Sequence, residues 1–414
     1  MQVKVKLFGE KKCPKSYRIR DFLQRNGMRF QWMEIARNED ALVHTGLESM
    51  HDPKFPVLKI GEHTLYAPTL AQIVHAVGWA TGPGEPKYDL AIYGGGPAGL
   101  SAAVYGASEG LRTVLIERFS IGGQAGSTSR IENYLGFPEG ISGAELASRA
   151  RDQALRLGAE ILLAAECIGG KLDESSFLGM LDSGDTVRSR SIICATGVEY
   201  TRLNLANEDR LLGRGFYYGA GSSEASLCGG QVFVVGGGNS AGQAALHLAS
   251  RASKVTMLVR GQSLKSTLSQ YLVDRIGISP NIEVKVNCIL TAIEGGESLE
   301  RIRYLALDTD EETEVETGWV FACVGGKPQT EWTDADQLAR DSAGYILTGT
   351  DLLQKSDSPL HWPLERAPYP MEASIPGTFV AGDLRANSIK RCATAVGEGA
   401  AAVASVHRYL CSMN

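Results

Sequence analysis

The stretch LAIYGGGPAGL, residues 90–100, decides the fold of most of this chain. A short apolar run ends at Gly94, and glycines return at Gly96 and Gly99, where a helical pattern begins. A turn from a buried strand into a helix needs glycine where the backbone is tight and where it approaches a pyrophosphate, which rests on the positive helix N-terminus. The stretch therefore predicts a Rossmann-like strand, turn and helix that bind a dinucleotide.

A second stretch with the same spacing, VFVVGGGNSA, occupies residues 232–241. Gly236 and Gly238 repeat the first two glycines, Asn239 and Ser240 open the helix, and Ala241 replaces the third glycine. Two copies with matched spacing predict two dinucleotides. This favours a flavin that receives electrons from a nicotinamide nucleotide.

The residue 23 positions after the first glycine distinguishes the two sites. In the first copy it is Glu117, at the end of the next strand, where a carboxylate accepts hydrogen bonds from the ribose of FAD. In the second copy it is Val259, followed by Arg260, whose guanidinium suits a 2′-phosphate; Lys265 adds a second charge. The sequence therefore predicts FAD in the first site and NADPH in the second.

Composition excludes several classes of function. The chain has 414 residues with 41 basic and 47 acidic side chains, and no basic cluster suggests nucleic acid. The first nine residues lack the apolar core of a signal peptide, and no stretch is long enough to span a bilayer, so we expect a cytoplasmic protein without a membrane partner. The eight cysteines are never closer than 19 positions, so neither a Cys-x-x-Cys pair nor a metal site is predicted.

The segment TGPGEPK, 81–87, has the composition of a linker. It follows a unit of residues 1–80 that reads as a small α/β domain, with a strand at 3–8 and a helix at 16–26. We predict an FAD-binding domain at 88–200 and 327–414, interrupted by an NADPH-binding domain at 201–326. The predicted fold class is α/β, with two Rossmann-like dinucleotide-binding domains and the N-terminal domain.

Six phrases, in order and at plausible spacing, resemble the low-molecular-weight thioredoxin reductases across roughly residues 88–410. They are GGGPAG (94–99), GGQ (122–124), ENYLGFP (132–138), ATG (195–197), GGGNSA (236–241) and AGD (381–383). The resemblance implies a homodimer. It also implies that FAD is held by the first fingerprint together with Glu117, Gln124, Asn133, Gly382, Asp383 and the start of the last helix, Arg391, Cys392 and Ala393.

In that family a Cys-x-x-Cys pair precedes the second fingerprint, its second cysteine 14 residues before the first glycine. Gly219 and Ser222 stand in those two places here. Because serine forms no disulfide, the usual reduction of thioredoxin is not available through this loop. Nearby, Glu224 is considered as a proton donor and Cys228 as a redox thiol, although an isolated cysteine is more often a small buried hydrophobe.

Residues 1–80 resemble a glutaredoxin. A first strand runs into CPKS, 13–16, at a helix start, and FPV, 55–57, stands where that fold has a cis-proline. The glycine pair and acidic dipeptide with which glutaredoxins hold glutathione are replaced by APTL at 67–70. The phrases GGGNSAGQAA, 236–245, and AVGEG, 395–399, also resemble a branch of reductase-like proteins that lack the dithiol and carry an extra N-terminal domain.

Cys13 is the candidate catalytic residue of the N-terminal domain. A thiol at a helix N-terminus is acidified by the helix dipole, and Lys11, Lys12 and Lys15 add to the effect. Ser16 replaces the resolving cysteine, so its chemistry would be that of a single thiol. Cys13 is thus either a working thiolate or a remnant in a docking domain.

These features favour an NADPH-dependent flavin enzyme that passes electrons to a thiol or disulfide acceptor, in one version through Cys13. A second hypothesis is electron transfer to a protein carrier such as ferredoxin, which needs no thiol. A third is a redox sensor without catalytic turnover.

Overall fold

The computed structural model describes residues 4–80, 82–173, 176–219, 222–330, 337–354 and 362–413. The N-terminal unit contains β1 (Val5–Gly9), α1 (Pro14–Arg25), β2 (Gln31–Glu34), α2 (Asn38–Thr45), β3 (Val57–Ile60), β4 (His63–Tyr66) and α3 (Leu70–Ala76). Its sheet has the order β2-β1-β3-β4, with β1 parallel to β2 and antiparallel to β3. The Phe55–Pro56 peptide bond before β3 is cis.

The elements of this unit deviate from the sequence predictions in two ways. The strand predicted at 3–8 corresponds to β1, and its first residue lies outside the described residues. The helix predicted at 16–26 begins at Pro14, because proline fits the first turn, where its missing N–H costs nothing. The sequence pattern does not predict α2, whose eight residues bury only Ala41 and Thr45 and so lack an apolar stripe.

The first fingerprint lies in a larger sheet, which together with its helices we call the first fingerprint unit. Between residues 88 and 194 it contains β5 (Tyr88–Tyr93), α4 (Pro97–Ser108), β6 (Thr113–Glu117), α5 (Gly123–Gly126), α6 (Gly143–Arg156), β7 (Glu160–Leu163), β8 (Cys167–Asp173), β9 (Ser176–Leu181) and β10 (Thr186–Cys194). The sheet order is β7-β6-β5-β10-β9-β8, and β5, β6, β7 and β10 are parallel. The fingerprint turn thus leaves the carboxyl end of a central parallel strand.

The second fingerprint unit is built around a parallel sheet with the order β12-β19-β13-β14-β15 and an antiparallel sheet β16-β17-β18. The elements of this part of the chain are β11 (Val198–Tyr200), α7 (Glu208–Leu211), β12 (Phe216–Tyr218), α8 (Ser222–Ala225), β13 (Gln231–Val235), α9 (Asn239–Ala249), β14 (Lys254–Val259), α10 (Gln270–Gly277), β15 (Ile282–Val286), β16 (Cys288–Glu294), β17 (Arg301–Ala306), β18 (Glu311–Glu316), β19 (Val320–Ala322) and β20 (Gly326–Pro328). The chain enters through β11 and leaves through β20, and these two strands pair antiparallel.

The last part of the chain returns to the first fingerprint unit with α11 (Asp351–Gln354), β21 (Thr378–Val380) and α12 (Cys392–Ser412). β21 pairs parallel with β10, and α12 packs along α4. The helices approach closely at Gly399, where a Cβ would lie 2.2 Å from the carbonyl oxygen of Ala98. This packing places the start of α12 beside the first fingerprint turn. No helix in the described part of the chain, the 21 residues of α12 included, is long and apolar enough to cross a membrane.

Helix α1 of the N-terminal unit packs against both fingerprint units. Toward the second, Arg20 donates a hydrogen bond of 2.9 Å to Glu224 in α8, and the two side chains are only 2% and 1% exposed. Toward the first, the ring of Phe22 packs edge-on against Phe119 at 6.0 Å. The N-terminal unit is therefore a packed part of the molecule with buried contacts on both sides.

Candidate functional site

The first fingerprint turn has glycine where the backbone leaves no room for a side chain. Gly94 has a φ of +106°, and a Cβ there would lie 2.5 Å from the oxygen of Ala195. A Cβ on Gly99 would lie 1.9 Å from the oxygen of Gly94. Gly96 differs, because a Cβ on it would meet nothing nearer than 3.9 Å and would instead fill the adjacent cleft. This open cradle fits the close approach of a pyrophosphate.

Glu117 ties the end of β6 to this turn. Its carboxylate accepts the N–H of Gly95 at 2.6 Å and the N–H of Phe119 at 2.8 Å, and it also lines the cleft. A carboxylate has about four lone-pair positions, so two backbone bonds leave capacity for further donors such as ribose hydroxyls. The geometry fits the role that the sequence predicts for this residue.

A cleft of about 270 Å³ extends from this turn into the space between the two fingerprint units. Of the predicted cofactor-binding residues it is lined by Gly94, Gly96, Glu117, Gln124, Asn133, Gly382, Asp383, Arg391, Cys392, Asn239 and Ser240. Gly99 and Ala393 do not line it: the first lies behind the turn and the second is exposed on α12. The cleft thus brings together residues that are far apart in the sequence.

Asp383 lies where the chain leaves β21 and approaches the start of α12. Burial raises the pKa of its carboxyl, Glu398 raises it further, and only Lys390 opposes the shift. The neighbouring Gly382 N–H donates to Glu398 at 2.7 Å, which fixes the backbone of this loop. Burial disfavours the charged form of this carboxylate, and hydroxyl donors would stabilise it. The site therefore suits a ligand with hydroxyl groups, such as the ribityl chain of a flavin.

The second turn is built like the first but opens onto the surface. Gly236 has a φ of +136°, and a Cβ on it would lie 2.3 Å from the oxygen of Cys323. A Cβ added to Gly238 would meet no atom within 4 Å, so the surroundings of this glycine are open. Asn239 accepts the N–H of Ser269 at 2.7 Å, which fixes the start of α9.

Two exposed cations stand at the edge of this second turn. Arg260 follows the buried Val259 at the end of β14, and Lys265 lies in a short 3-10 turn, Leu264–Ser266. Neither forms an ion pair with the residues that the structure describes. Both side chains are therefore accessible to a phosphate group, and their binding of the 2′-phosphate of NADPH stays a prediction. Gly236, Gly238, Ala241 and the two cations do not line the shared cleft.

Sequence reasoning did not predict several residues of the cleft, among them Tyr200 and Gln243. Tyr200, the last residue of β11, and Gln243, in the first turns of α9, both line it. Tyr200 belongs to no recognised phrase, and Gln243 lies within GGGNSAGQAA, 236–245, where the local pattern does not mark its side chain as a cleft residue. Together with Asn239 and Ser240, Gln243 shows that α9 of the second unit begins over the cleft of the first.

Cys13 is the N-cap residue of α1 and is partly buried, but it does not line the cleft. The start of α1 packs on the second fingerprint unit, where Pro14 lies beside Gly213 and the ammonium group of Lys12 lies 5.3 Å from the ring centre of Trp319. The thiol of Cys13 therefore lies outside the cleft. Ser16, which the glutaredoxin resemblance puts in place of the resolving cysteine, is fully buried.

Glu224 and Cys228 lie in surroundings that suit structural roles rather than catalytic ones. The Glu224 carboxylate is buried and paired with Arg20, which is a different environment from that of a proton donor facing the cleft. Burial raises the pKa of the Cys228 thiol to about 12, and its Sγ donates to the Glu224 carbonyl. A thiol with that pKa is protonated near neutral pH and is a poor nucleophile.

Comparisons with known proteins agree with this geometry. The sequence profile described as pyridine nucleotide-disulphide oxidoreductase matches residues 88–399. The chain belongs to this family. The match leaves the N-terminal unit outside.

Among the relatives, the thioredoxin reductase of Treponema pallidum is 32% identical over 327 residues, which cover 79% of this chain and 98% of that protein. The NADPH-dependent thioredoxin reductase 3 of Arabidopsis thaliana is 35% identical over 80% of this chain, which spans only 60% of that relative. The solved thioredoxin reductase of T. acidophilum superposes with a TM-score of 0.70 at 29% identity, covering 80% of this chain and 100% of that one. Within its family the chain is thus a thioredoxin reductase-like, FAD-dependent NAD(P)H oxidoreductase.

Proposed function

We propose that this chain oxidises NADPH and passes the electrons, by way of FAD, to a thiol or disulfide acceptor. The observation that carries the proposal is the shared cleft, into which the first turn and the start of α9 both open. When bound, FAD would supply the two-electron chemistry that links a nicotinamide to an acceptor. Glu117 and Asp383 would hold the ribose and ribityl hydroxyls, while Arg260 and Lys265 would hold the 2′-phosphate of NADPH outside the cleft.

The N-terminal unit is proposed to be a glutaredoxin-like domain in which Cys13 exchanges with the acceptor. Its strand order and its β1, α1, β2 connection support this assignment. Cys13 stands at the N-terminus of a 12-residue helix and remains partly accessible. Its thiolate would attack one sulfur of a disulfide, and the other sulfur would leave as a thiolate that takes up a proton. A second thiol would free Cys13 by the same exchange and become part of a new disulfide. One NADPH, by way of FAD, and one proton would then reduce that disulfide to two thiols.

The remaining parts of the proposal concern organisation. The boundaries at residues 80, 200 and 326 are supported by the sheets. The strands before residue 80 form one sheet, those within 88–194 share a second with 378–380, and those within 216–322 form a parallel and an antiparallel sheet. A homodimer is supported by the family resemblance. A cytoplasmic location is supported by the eight free cysteines.

The test mixes the purified protein with NADPH under anaerobic conditions and follows the flavin absorbance near 450 nm. Glutathione disulfide, a thioredoxin and a ferredoxin are then offered one at a time. The proposal expects bleaching followed by reoxidation with a disulfide. Cys13→Ser should keep the bleaching and lose the disulfide turnover, whereas Cys411→Ser, which changes an exposed cysteine at the end of α12, should keep both.

One observation favours the alternative of a protein electron carrier, because Gly219 and Ser222 provide no thiol and Cys13 lies outside the cleft. Reoxidation by ferredoxin alone would support that alternative. Bleaching without turnover of any acceptor would favour a redox sensor.

A further inference from the structure

A side chain at position 219 has no space because Tyr200 occupies it. Gly219 has a φ of +72°, and a Cβ on it would lie 2.5 Å from the hydroxyl oxygen of Tyr200 and 3.0 Å from its Cζ. Both residues line the shared cleft. Position 219 is the place that the first cysteine of the family's dithiol would take.

Tyr200 is held in this position from several sides. It ends β11, where it pairs with Gly326 of β20, so its backbone is fixed at the crossing between the two fingerprint units. Its ring stacks on that of Tyr218 at 6.0 Å with an interplanar angle of 23°. The Tyr218 hydroxyl donates to Glu208 at 2.8 Å and accepts the N–H of Leu203 at 2.6 Å.

The environment of the Tyr200 hydroxyl keeps it neutral. Burial raises the pKa of Tyr200 to about 12, while the nearby Arg25 guanidinium and the Ser127 hydroxyl oppose this shift. The ring is therefore a neutral, well-supported group, and moving it would disturb the cleft wall and its stacking on Tyr218. A neighbour so placed cannot yield to a new side chain without cost.

We propose that Tyr200 is a specificity-determining residue, which fills the space of a cysteine at 219 and so commits this cleft to electron transfer without a dithiol. The inference rests on the proposed function only for the use of the cleft by FAD and NADPH. An acceptor must then enter the cleft itself or be reached at another site.

The steric part of the proposal is tested by thermal unfolding of the holoprotein. Gly219→Ala adds a Cβ at positive φ beside Tyr200. Gly197→Ala is the matched control, because Gly197 also lines the cleft, has a φ of +68° and has no atom within 4 Å of an added Cβ. Gly219→Ala should lower the Tm by several degrees more than Gly197→Ala, and Tyr200→Ala should remove this excess. Equal losses for the two glycines would overturn the proposal.

The chemical part introduces Gly219→Cys and Ser222→Cys together, with Tyr200 kept or changed to alanine. After mild oxidation, dithiothreitol should release two additional thiols per chain only where Tyr200 is changed. If the disulfide forms equally well with and without Tyr200, or forms in neither variant, Tyr200 does not control disulfide formation at position 219 and the proposal is wrong.

The variant that combines Gly219→Cys, Ser222→Cys and Tyr200→Ala also separates this inference from the proposed function. One NADPH and one proton open one disulfide to two thiols, and thiol titration counts them under anaerobic conditions. If dithiothreitol opens the disulfide and NADPH does not, the inference about Tyr200 stands and the proposed route of electrons fails. The native cysteines are present in both variants and cancel in the comparison.

Discussion

The two fingerprint turns have nearly the same backbone design but different surroundings. In the first, Glu117 bonds two backbone N–H groups of the protein itself, and the cleft wall closes around it. In the second, the corresponding position is the buried Val259, and the charges of Arg260 and Lys265 stand in solvent. The same turn can therefore serve two kinds of ligand. The enclosed first turn suits a tightly bound cofactor, and the open second turn suits a nucleotide that binds and dissociates.

The largest effect is expected from exchanging the third residue of the two turns. Gly99→Ala places a Cβ 1.9 Å from the Gly94 oxygen, so the first turn cannot form and the protein should be purified without FAD. Ala241→Gly is the reciprocal change in the second turn, where a side chain is already accommodated, and it should cost about 1 kcal/mol of stability. The flavin content of each purified variant, measured by absorbance, decides between them. If the Gly99→Ala protein is purified with FAD bound, the proposed difference between the two turns is wrong.

Asp383→Ala tests the part of the enclosed site that lies between β21 and α12. Loss of a buried hydroxyl partner should weaken FAD retention roughly tenfold to a hundredfold, as measured by dialysis of the holoprotein. Binding of NADPH to the second turn should be unaffected, and a change there would mean that Asp383 acts on the fold as a whole.

Asp383 also predicts a pH dependence of the protein without FAD. Burial raises the pKa of its folded carboxyl above the unfolded value of about 4, so its contribution to stability is complete below that value and is lost as pH rises through the folded pKa. In the Asp383→Ala variant this fall with pH should be absent. Urea midpoints measured between pH 4 and pH 7 provide the comparison, and parallel profiles would contradict the assignment.

Arg260→Ala should raise the KM for NADPH by roughly tenfold and leave the KM for NADH almost unchanged, because only NADPH carries the 2′-phosphate. Arg251→Ala removes another exposed arginine of the same unit and should change neither constant. An equal loss with both nucleotides would show that Arg260 does not read the phosphate.

The smallest effect is expected for Lys265→Ala. Its ammonium group is exposed, so a contact with the phosphate is weakened by solvent and salt, and the KM for NADPH should rise about two- to fivefold. The effect should shrink at high ionic strength. An effect larger than that of Arg260→Ala would reverse the assigned roles.

The sequence could predict those parts of the site that depend on local spacing. Gly94, Gly236 and Glu117 follow from the rules of a strand, a turn and a helix, and the family match to residues 88–399 agrees with the architecture they imply. Asp383 was identified through the resemblance and through its place as a carboxylate at the end of a strand. Local spacing does not show its position beside the first turn, because that position depends on α12 packing along α4. Tyr200 was not reached at all, since its relation to Gly219 arises from the crossing of β11 and β20.

The buried pair of Arg20 and Glu224 has a consequence for dissecting the protein. The two residues are 204 positions apart, yet their side chains form an ion pair that is buried away from water. Cutting the chain at the linker would be the natural way to prepare a minimal oxidoreductase, because the family match starts at residue 88. Such a fragment would expose the apolar surface around Phe119 and remove Arg20 from the buried Glu224 carboxylate, so the shorter chain should be less stable and prone to aggregate. We therefore expect the first 80 residues to stabilise the two fingerprint units through the contacts of α1.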